Sequence, residues 1–503
     1  MIPDETGCDR DGPATVSRRT GQDRIRPNGI GPNWFGQDRF APDGFGPCGY
    51  ACSGYETGGT GPVPADRPPR GPGPHPSPGP GRTRPTTPHP RAPARTPNPS
   101  GPAGPPHRQE PAPGGPMLDE TLLDAPDALA QADRRGLLRG AAEAGARVRT
   151  AARHAAEAGI ADLRPEGRPR AVLVAGPGTP AAGVADLIGA LAGASAPVVP
   201  LRPTGVAPAP GALRWALPGW AGSVDLLLLP TTDGSEPGLA LLAEQAYRRG
   251  MTVVAVAPAA SPLAEEVNGS RGLFVPLAMA PHESAVETAE NLAASSGTLW
   301  SLFTPLLALL DRVGLIEAPP EVLEKVADRL DRTAERCGPA LATYGNPAKT
   351  LAAELADSLP LVWTEGAAAG PVGRRFAAVL AELAGLPALA GELPEALTAH
   401  GVLLAGTYAA GADPDDFFRD RVDEPQALRA RVVLLRDRPA GGLTAAPAAR
   451  ELALGHDTAV SELEPQEEGD DLETLAELLA VTDFAAVYLA LASAGVTAPP
   501  ASP

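Results

Sequence analysis

The stretch SVDLLLLPTTDGSEPGLALLAEQAYRR, residues 223–249, decides the fold. Four leucines at 226–229 run without a polar interruption and stop at Pro230. A run that is apolar on both faces of a pleated strand reads as a buried strand of a parallel sheet. A polar, glycine-containing turn follows. A helical pattern then begins with Pro237 in its first turn, where proline's missing N–H costs little. The turn therefore opens at the carboxyl edge of the sheet. Open α/β sheets bind ligands at that edge, and a helix N-terminus there favours anions.

Working outward, strands and helices alternate on both sides of this unit. An amphipathic, Ala-rich helical stretch covers 124–159. After it come AVLVAG (171–176), a helix over 181–191, PVVPL (197–201), the 224–229 strand, a helix over 237–249, TVVAVA (252–257), GLFVPL (272–277) and a long apolar helix over 297–313. The charged helix EVLEKVADRLDRTAERC (321–337) opens a second unit. It continues with a helix over 346–357, the strand LPLVWTEG (359–366), a helix over 374–384, VLLAG (402–406) read as a strand, and RVVLLRD (431–437). An acidic loop near 462–471 precedes a last helix, LETLAELLAVTDFAAVYLALASA. Such alternation predicts two doubly wound α/β units, over 117–320 and 321–503, with a cleft between their strand ends.

Residues 1–116 differ in kind. Pro, Gly, Arg and Ser dominate, and the segment cannot bury enough apolar surface to offset chain entropy, so it reads as a disordered tail. FGQDRF and APDGFGP within it hint at a degenerate repeat, and RPPRGPGPHPSPGPGRTRP at a polyproline ligand. The reading favoured over these takes translation to begin at Met117, because MLDETLLDAPDALAQADRRGLLRG opens at once with helical periodicity.

The whole chain carries a net charge of −18, and residues 117–503 hold 29 of its 42 basic and 50 of its 60 acidic side chains. An acidic body argues against nucleic acid and anionic membranes as partners. Cys8, Cys48 and Cys52 lie in the tail, leaving Cys337 alone in the folded part. No disulfide framework or metal-ligand spacing emerges, which suits a reducing cytoplasm. The sequence shows no apolar run of about 18 residues and no signal-peptide core.

The order of elements, the turn after VDLLLL, the segment NPAKTLAAELADSLPLVW (346–363) and the closing TDFAAVYLAL (482–491) resemble the sugar-isomerase (SIS) family. The nearest branch is the bifunctional phosphoglucose/phosphomannose isomerases, and the likeness spans roughly residues 120–495. The resemblance implies two SIS domains, a homodimer, a sugar phosphate or related small molecule as ligand, and no cofactor or metal. It also implies aldose–ketose interconversion through an enediol. That chemistry needs hydroxyls and amides for the phosphate, a carboxylate to shuttle a proton, an acid/base to open the ring, and a cation.

The family's first loop is of the form GMGGSA. Here it reads Gly176-Pro177-Gly178-Thr179-Pro180-Ala181, keeping two glycines and a hydroxyl at Thr179 but placing Pro180 where the serine stands. Thr179 is read equally as a helix cap. The second loop resembles S-x-S-G-x-T and here reads Thr231-Thr232-Asp233-Gly234-Ser235-Glu236. Thr231 keeps a hydroxyl, whereas Asp233 and Glu236 bring carboxylates. A like charge about 4 Å from a phosphate costs roughly 4 kcal/mol at an effective dielectric near 20, more than one helix N-terminus offsets. Two other readings stand: Asp233 and Glu236 contact hydroxyls or an amine on a different ligand, or, as the favoured reading, Asp233 simply caps the following helix with Pro237 in its first turn.

Glu382 falls where the family's proton-shuttling glutamate lies, in Ala381-Glu382-Leu383-Ala384-Gly385 against N-E-N-A-K. Pro394-Glu395-Ala396-Leu397-Thr398-Ala399-His400 answers to PELNHNE, so the ring-opening place holds Thr398 and His400 stands two residues later. The histidine is otherwise read as capping the segment before VLLAG. The family's arginine is replaced in Ser295-Ser296-Gly297, and its C-terminal lysine has no counterpart in VTAPPASP. Lys349 reads as packing and helix initiation. The ligand-binding set implied is Gly176, Gly178, Thr179, Thr231, Asp233, Gly234, Ser235 and Glu236, with Glu382 and His400 catalytic.

These replacements point to an SIS protein that binds a carbohydrate derivative with weakened or absent isomerase activity. Two alternatives stand beside it: an active glucose 6-phosphate/mannose 6-phosphate isomerase with relocated groups (His400, and Arg374 or Arg375), and a non-catalytic regulatory or structural partner.

Overall fold

The computed structural model describes residues 118–193, 195–205, 211–279, 296–406, 429–437 and 444–497. The expectations for the tail and its cysteines, for Ser295 and for the end of the chain past residue 497 lie outside the described residues.

Two parallel sheets carry the fold. In the first, β1 (Val172–Val174), β2 (Val198–Pro200), β3 (Leu226–Pro230), β4 (Thr252–Ala257) and β5 (Leu273–Pro276) lie in the order β2-β1-β3-β4-β5. In the second, β6 (Ser358–Glu365), β7 (Leu389–Glu392), β8 (Arg429–Arg436) and β9 (Ala459–Leu463) lie in the order β7-β6-β8-β9. Every pairing within both sheets is parallel.

The quoted leucine run lies in β3, and all four leucines are fully buried because the two faces of the strand feed different cores. Leu226 and Leu228 join α5 (Gly178–Ala192) in one cluster, and Leu227 and Leu229 join α6 (Pro237–Arg248) in another. Each such side chain contributes about 1.5–3 kcal/mol by leaving water. The second sheet repeats the device: Val362 and Val433 face α11 (Ala369–Ala384), while Leu361, Trp363 and Leu434 face α12 (Glu395–Ala405) and α13 (Ala446–Gly455). The doubly wound α/β expectation therefore holds.

Several local expectations are corrected. The helix expected over 124–159 is broken into α2 (Pro126–Ala132), α3 (Leu137–Ala142) and α4 (Ala144–Glu157). The Asp133 carboxylate accepts from Leu137 N (2.7 Å) and Leu138 N (2.9 Å), and Gly136 adopts a left-handed φ of 67°, so a new helix starts there. VLLAG is the end of α12 rather than a strand, with Leu404 buried and Val402 exposed. The edge strands β7 and β9 carry little signal in the sequence, being short, half-exposed and interrupted by glutamates.

The boundary at residue 320 does not separate the cores. Leu123, Leu129, Leu137 and Leu138 pack in the same cluster as α11, and Leu472–Ala480 side chains join the cluster of the first sheet. The last helix, α14 (Asp471–Thr497), links the two. By length and composition Asp471–Ser493 would suffice to cross a bilayer, which corrects the expectation that no run is long enough, yet 94% of the window is buried inside the protein. It is a core helix.

Polar groups fix α14 in place. Glu477 accepts from Arg329 Nη1 (2.7 Å), Arg336 Nη2 (2.6 Å) and Gln466 N (2.9 Å). Burial pushes this carboxyl up, but the Gln466 amide and the two guanidiniums outweigh it and hold it below its ordinary range. Beside it, the NPAK segment builds a second node. Asn346 caps α10 (Pro347–Leu355), accepting from Ala348 N (3.0 Å) and Lys349 N (3.1 Å), with Pro347 at the first helical position. Lys349 is fully buried, and its Nζ donates to the carbonyls of Leu123 (2.5 Å), Pro339 (2.8 Å) and Leu341 (2.7 Å) while lying 5.4 Å from the centre of the Tyr488 ring. The packing role expected for Lys349 is what the structure contains.

Replacing Lys349 with Met keeps the volume and strips three carbonyls of their donor. Each loss costs about 1–3 kcal/mol, so Lys349→Met should lower unfolding free energy by about 3 kcal/mol or more in urea titration. A loss below about 0.5 kcal/mol would mean that water replaces the ammonium.

Candidate functional site

In the first sheet β1 lies between β2 and β3, and the helices after β1 and β3 leave toward opposite faces. That is a topological switch point, and it leaves a crevice at the strand ends. The 176–181 and 231–236 loops line it. They are so close that a Cβ on Gly176 would sit 2.3 Å from the Pro230 carbonyl oxygen and 2.6 Å from Ala181 Cβ. Gly178 opens α5 with φ of 71°.

No side chain caps α5, whose N-cap is Pro177, so the capping role considered for Thr179 is not realised. Instead Thr179 Oγ1 donates to Glu382 Oε2 at 3.1 Å. Glu382 is on α11, which packs along α5: Arg374 near the other end of the contact donates to Asp186 Oδ2 on α5 at 2.8 Å. The pairings 179 with 382 and 186 with 374 make the helices antiparallel. The C-terminal turn of α11 therefore meets the N-terminal turn of α5, and a first-loop hydroxyl touches the carboxylate singled out in the second unit.

Across the crevice, Thr231 is buried and its Oγ1 accepts from Gly234 N at 3.1 Å. Gly234 takes φ of 65°, and a Cβ there would lie 2.6 Å from Ser261 Oγ. The Asp233 carboxylate accepts from Ser235 N within its own turn; it does not cap α6, whose N-cap residue is Glu236. Glu236 turns aside as well: its Oε2 accepts from Gly211 N at 3.3 Å, and its Oε1 is buried without a hydrogen bond. The turn was expected to set both carboxylates against a phosphate. Only Asp233, with Ser235 beside it, is exposed in the turn.

The second sheet has the equivalent crevice between β6 and β8, and it is filled. Asp437, the first residue after β8 as Thr231 is the first after β3, places Oδ2 2.9 Å from Ala368 N at the start of α11. A Cβ on Gly366 would overlap this carboxylate. Burial pushes the Asp437 carboxyl above its ordinary value, with the Ala368 and Ala369 amides opposing. Sequence reading missed Asp437; its signal was its place directly after a buried parallel strand, at the second switch point.

His400 lies elsewhere. It is the sixth residue of α12, not a cap, and it is 9% exposed. Its Nδ1 accepts from Trp363 Nε1 at 2.8 Å. An indole N–H can only donate, so the neutral imidazole carries its proton on Nε2. The ring borders a cavity of about 400 Å³ that Arg374 and Glu392 also line and Glu382 does not. Glu382 is eight residues from Arg374 on the same helix, about 12 Å along its axis. Glu382 and His400 are thus not brought together. Arg375, the other cation considered, is buried against Asp483 (3.2 Å).

The fold and the crevices define a tandem, doubly wound parallel α/β protein. Residues 345–496 match the family described as the bacterial phospho-glucose isomerase C-terminal SIS domain. No curated relative matches the sequence. Among solved structures, a candidate phosphosugar isomerase from Silicibacter pomeroyi matches at 18% identity and TM-score 0.45, over 71% of this chain and 98% of its own. Tagatose-6-phosphate ketose/aldose isomerase from Escherichia coli matches at 14% and 0.42, over 71% and 91%. A glucose-6-phosphate isomerase like protein from Thermus thermophilus matches at 24% and 0.35, over 55% and 76%. These likenesses assign no activity to this chain.

Burial lowers the His400 pKa from its ordinary value. The unfolded chain then binds a proton that the folded chain refuses. Stability is fully present above about pH 6.5 and falls as pH drops from there toward the folded value. The urea midpoint should fall more steeply between about pH 7 and 5.5 in the native chain than in His400→Gln, whose amide oxygen can still accept from Trp363. Equal slopes would assign the loss to another group.

Proposed function

We propose that the first crevice binds a carbohydrate derivative, a sugar phosphate-like ligand, in a protein akin to the phosphoglucose/phosphomannose isomerases whose isomerase activity is weakened or absent. The observation that carries this reading is the uncapped start of α5 at a switch point, with the Thr179 and Thr231 hydroxyls beside it, while the matching position in the second sheet is taken by the Asp437 carboxylate. Free first-turn amides and the helix dipole suit an anion. Pro180 removes one amide, and the exposed Asp233 opposes a phosphate, so binding is weak.

Enediol chemistry needs a base, a ring-opening acid and a cation acting together. Glu382 reaches the crevice through Thr179. The other groups speak against turnover: His400 is bound to Trp363 beside a different cavity, Arg375 is committed to Asp483, Arg374 to Asp186, and Lys349 to backbone carbonyls. An active isomerase would need His400 and Arg374 to act at Glu382, along about 12 Å of helix. The same reading has a homodimer in a reducing cytoplasm, consistent with a single buried Cys337 thiol among the described residues, pushed up to about 12 by burial.

Fructose 6-phosphate, glucose 6-phosphate and mannose 6-phosphate should bind weakly by calorimetry. Asp233→Ser combined with Glu236→Thr should tighten binding by about tenfold, or about 1.4 kcal/mol, within the range of one removed like-charge contact. No gain would mean that Pro180 closes the site. Coupled assays should find no turnover above that of Glu382→Gln. Robust native turnover that vanishes in that variant would establish an active isomerase with relocated partners.

A further inference from the structure

The cavity beside His400 belongs to neither switch point. It lies between the ends of β6 and β7 and helices α11 and α12, has a volume of about 400 Å³, and is lined by Thr364, Arg374, Gly391, Glu392, Glu395 and His400. A volume of this order is that of small-molecule sites, which are concave and place a few polar groups to orient the ligand.

Three observations make it a built site. First, His400 is more than nine-tenths buried, and Trp363 occupies its Nδ1, which fixes the proton on Nε2. Nε2 has no hydrogen-bond partner among the described residues, and the ring borders the cavity. An N–H without a partner at a cavity wall calls for an acceptor. Second, glycines keep the walls bare. A Cβ on Gly391 would stand 3.2 Å from His400 Cε1, and one on Gly370 would stand 2.9 Å from Glu392 Oε1. Third, the charges select. The Arg374 guanidinium is held by Asp186 and Glu392, so its charge is already neutralised. Glu395, in the first turn of α12, has no ion pair or hydrogen bond among the described residues. With His400 neutral, the lining carries one net negative charge.

We propose that this cavity is a second ligand site, specific for a polyhydroxylated molecule that carries no anionic group, such as a free hexose or hexosamine. His400 Nε2–H donates to a ligand hydroxyl oxygen, and the Glu395 carboxylate accepts from a hydroxyl or an ammonium. The anion-seeking crevice at α5 and this cavity would then read opposite chemistries. The two sites stand or fall separately, because no residue of one lines the other.

The test uses the full chain and the indole N–H of Trp363, which reports on His400 directly. Its proton resonance is assigned by its loss in Trp363→Phe. Glucose and glucosamine should each shift it saturably, with glucosamine the tighter, and glucose 6-phosphate should be at least tenfold weaker at this resonance. Glu395→Gln, an exposed position, should remove the preference for glucosamine and keep glucose binding. Gly391→Ala should weaken both sugars by tenfold or more. His400→Phe should abolish both by calorimetry; if that variant fails to fold, the Glu395 and Gly391 variants decide. No saturable shift with either sugar would overturn the proposal, as would glucose 6-phosphate shifting Trp363 as readily as glucose. Neither result bears on binding at the α5 crevice, which calorimetry of the Asp233 and Glu236 variant reads independently.

Discussion

The ammonium of Lys349 sits where water does not reach, and three stretches of backbone converge on it. Its acceptors are Leu123 at the end of the first helix, and Pro339 and Leu341 in the connection between the two sheets. The Tyr488 ring of the last helix closes the shell, and Tyr488 Oη donates to the Cys337 carbonyl at 2.7 Å. A buried charge with fewer partners would be costly, so each of these segments constrains the others. The node ties α10 to α14, and α11 packs in the same apolar cluster.

The two sheets repeat one design with opposite contents. Each has a switch point between its second and third strand positions, and a glycine that lets the next loop approach: Gly176 against Pro230, Gly366 against Asp437. What differs is the residue that follows the inner strand. Thr231 turns a hydroxyl onto its own loop and leaves the start of α5 free, whereas Asp437 supplies a carboxylate to the start of α11. Capping from within stabilises the second helix and removes it as a place for an anion. The asymmetry makes the first crevice the binding candidate, and the second sheet is left with a side cavity of different chemistry.

Much of this was legible in the residues. Unbroken apolar runs such as LLLL and RVVLL announced buried parallel strands, and glycine and proline positions announced the loops, because these signals are local. NPAK announced a capped helix start, and the structure adds why its lysine is there. What stayed hidden depended on contacts far apart in the chain. The separation of Glu382 from His400 follows from the antiparallel packing of α5 and α11, which no spacing encodes. Asp233 and Glu236 looked alike as carboxylates in a turn, yet one bonds its own loop and the other reaches Gly211. VLLAG misled because four apolar residues fit a strand as well as one turn of helix, and only the burial of Leu404 beside an exposed Val402 decides between them.

The place of α14 has a consequence for how this protein comes into being. Its first half completes the core of the first sheet and its second half completes that of the second, and Asp119 N donates to Ala492 O, joining the earliest described residues to the latest. A chain emerging from the ribosome therefore makes every described strand before it makes the helix that packs against both layers. Without that helix, the apolar faces of α10 and α11 that pack against it would stand open to water. The helix over Asp471–Thr497 thus acts as the latch that turns two partial layers into one cooperative body.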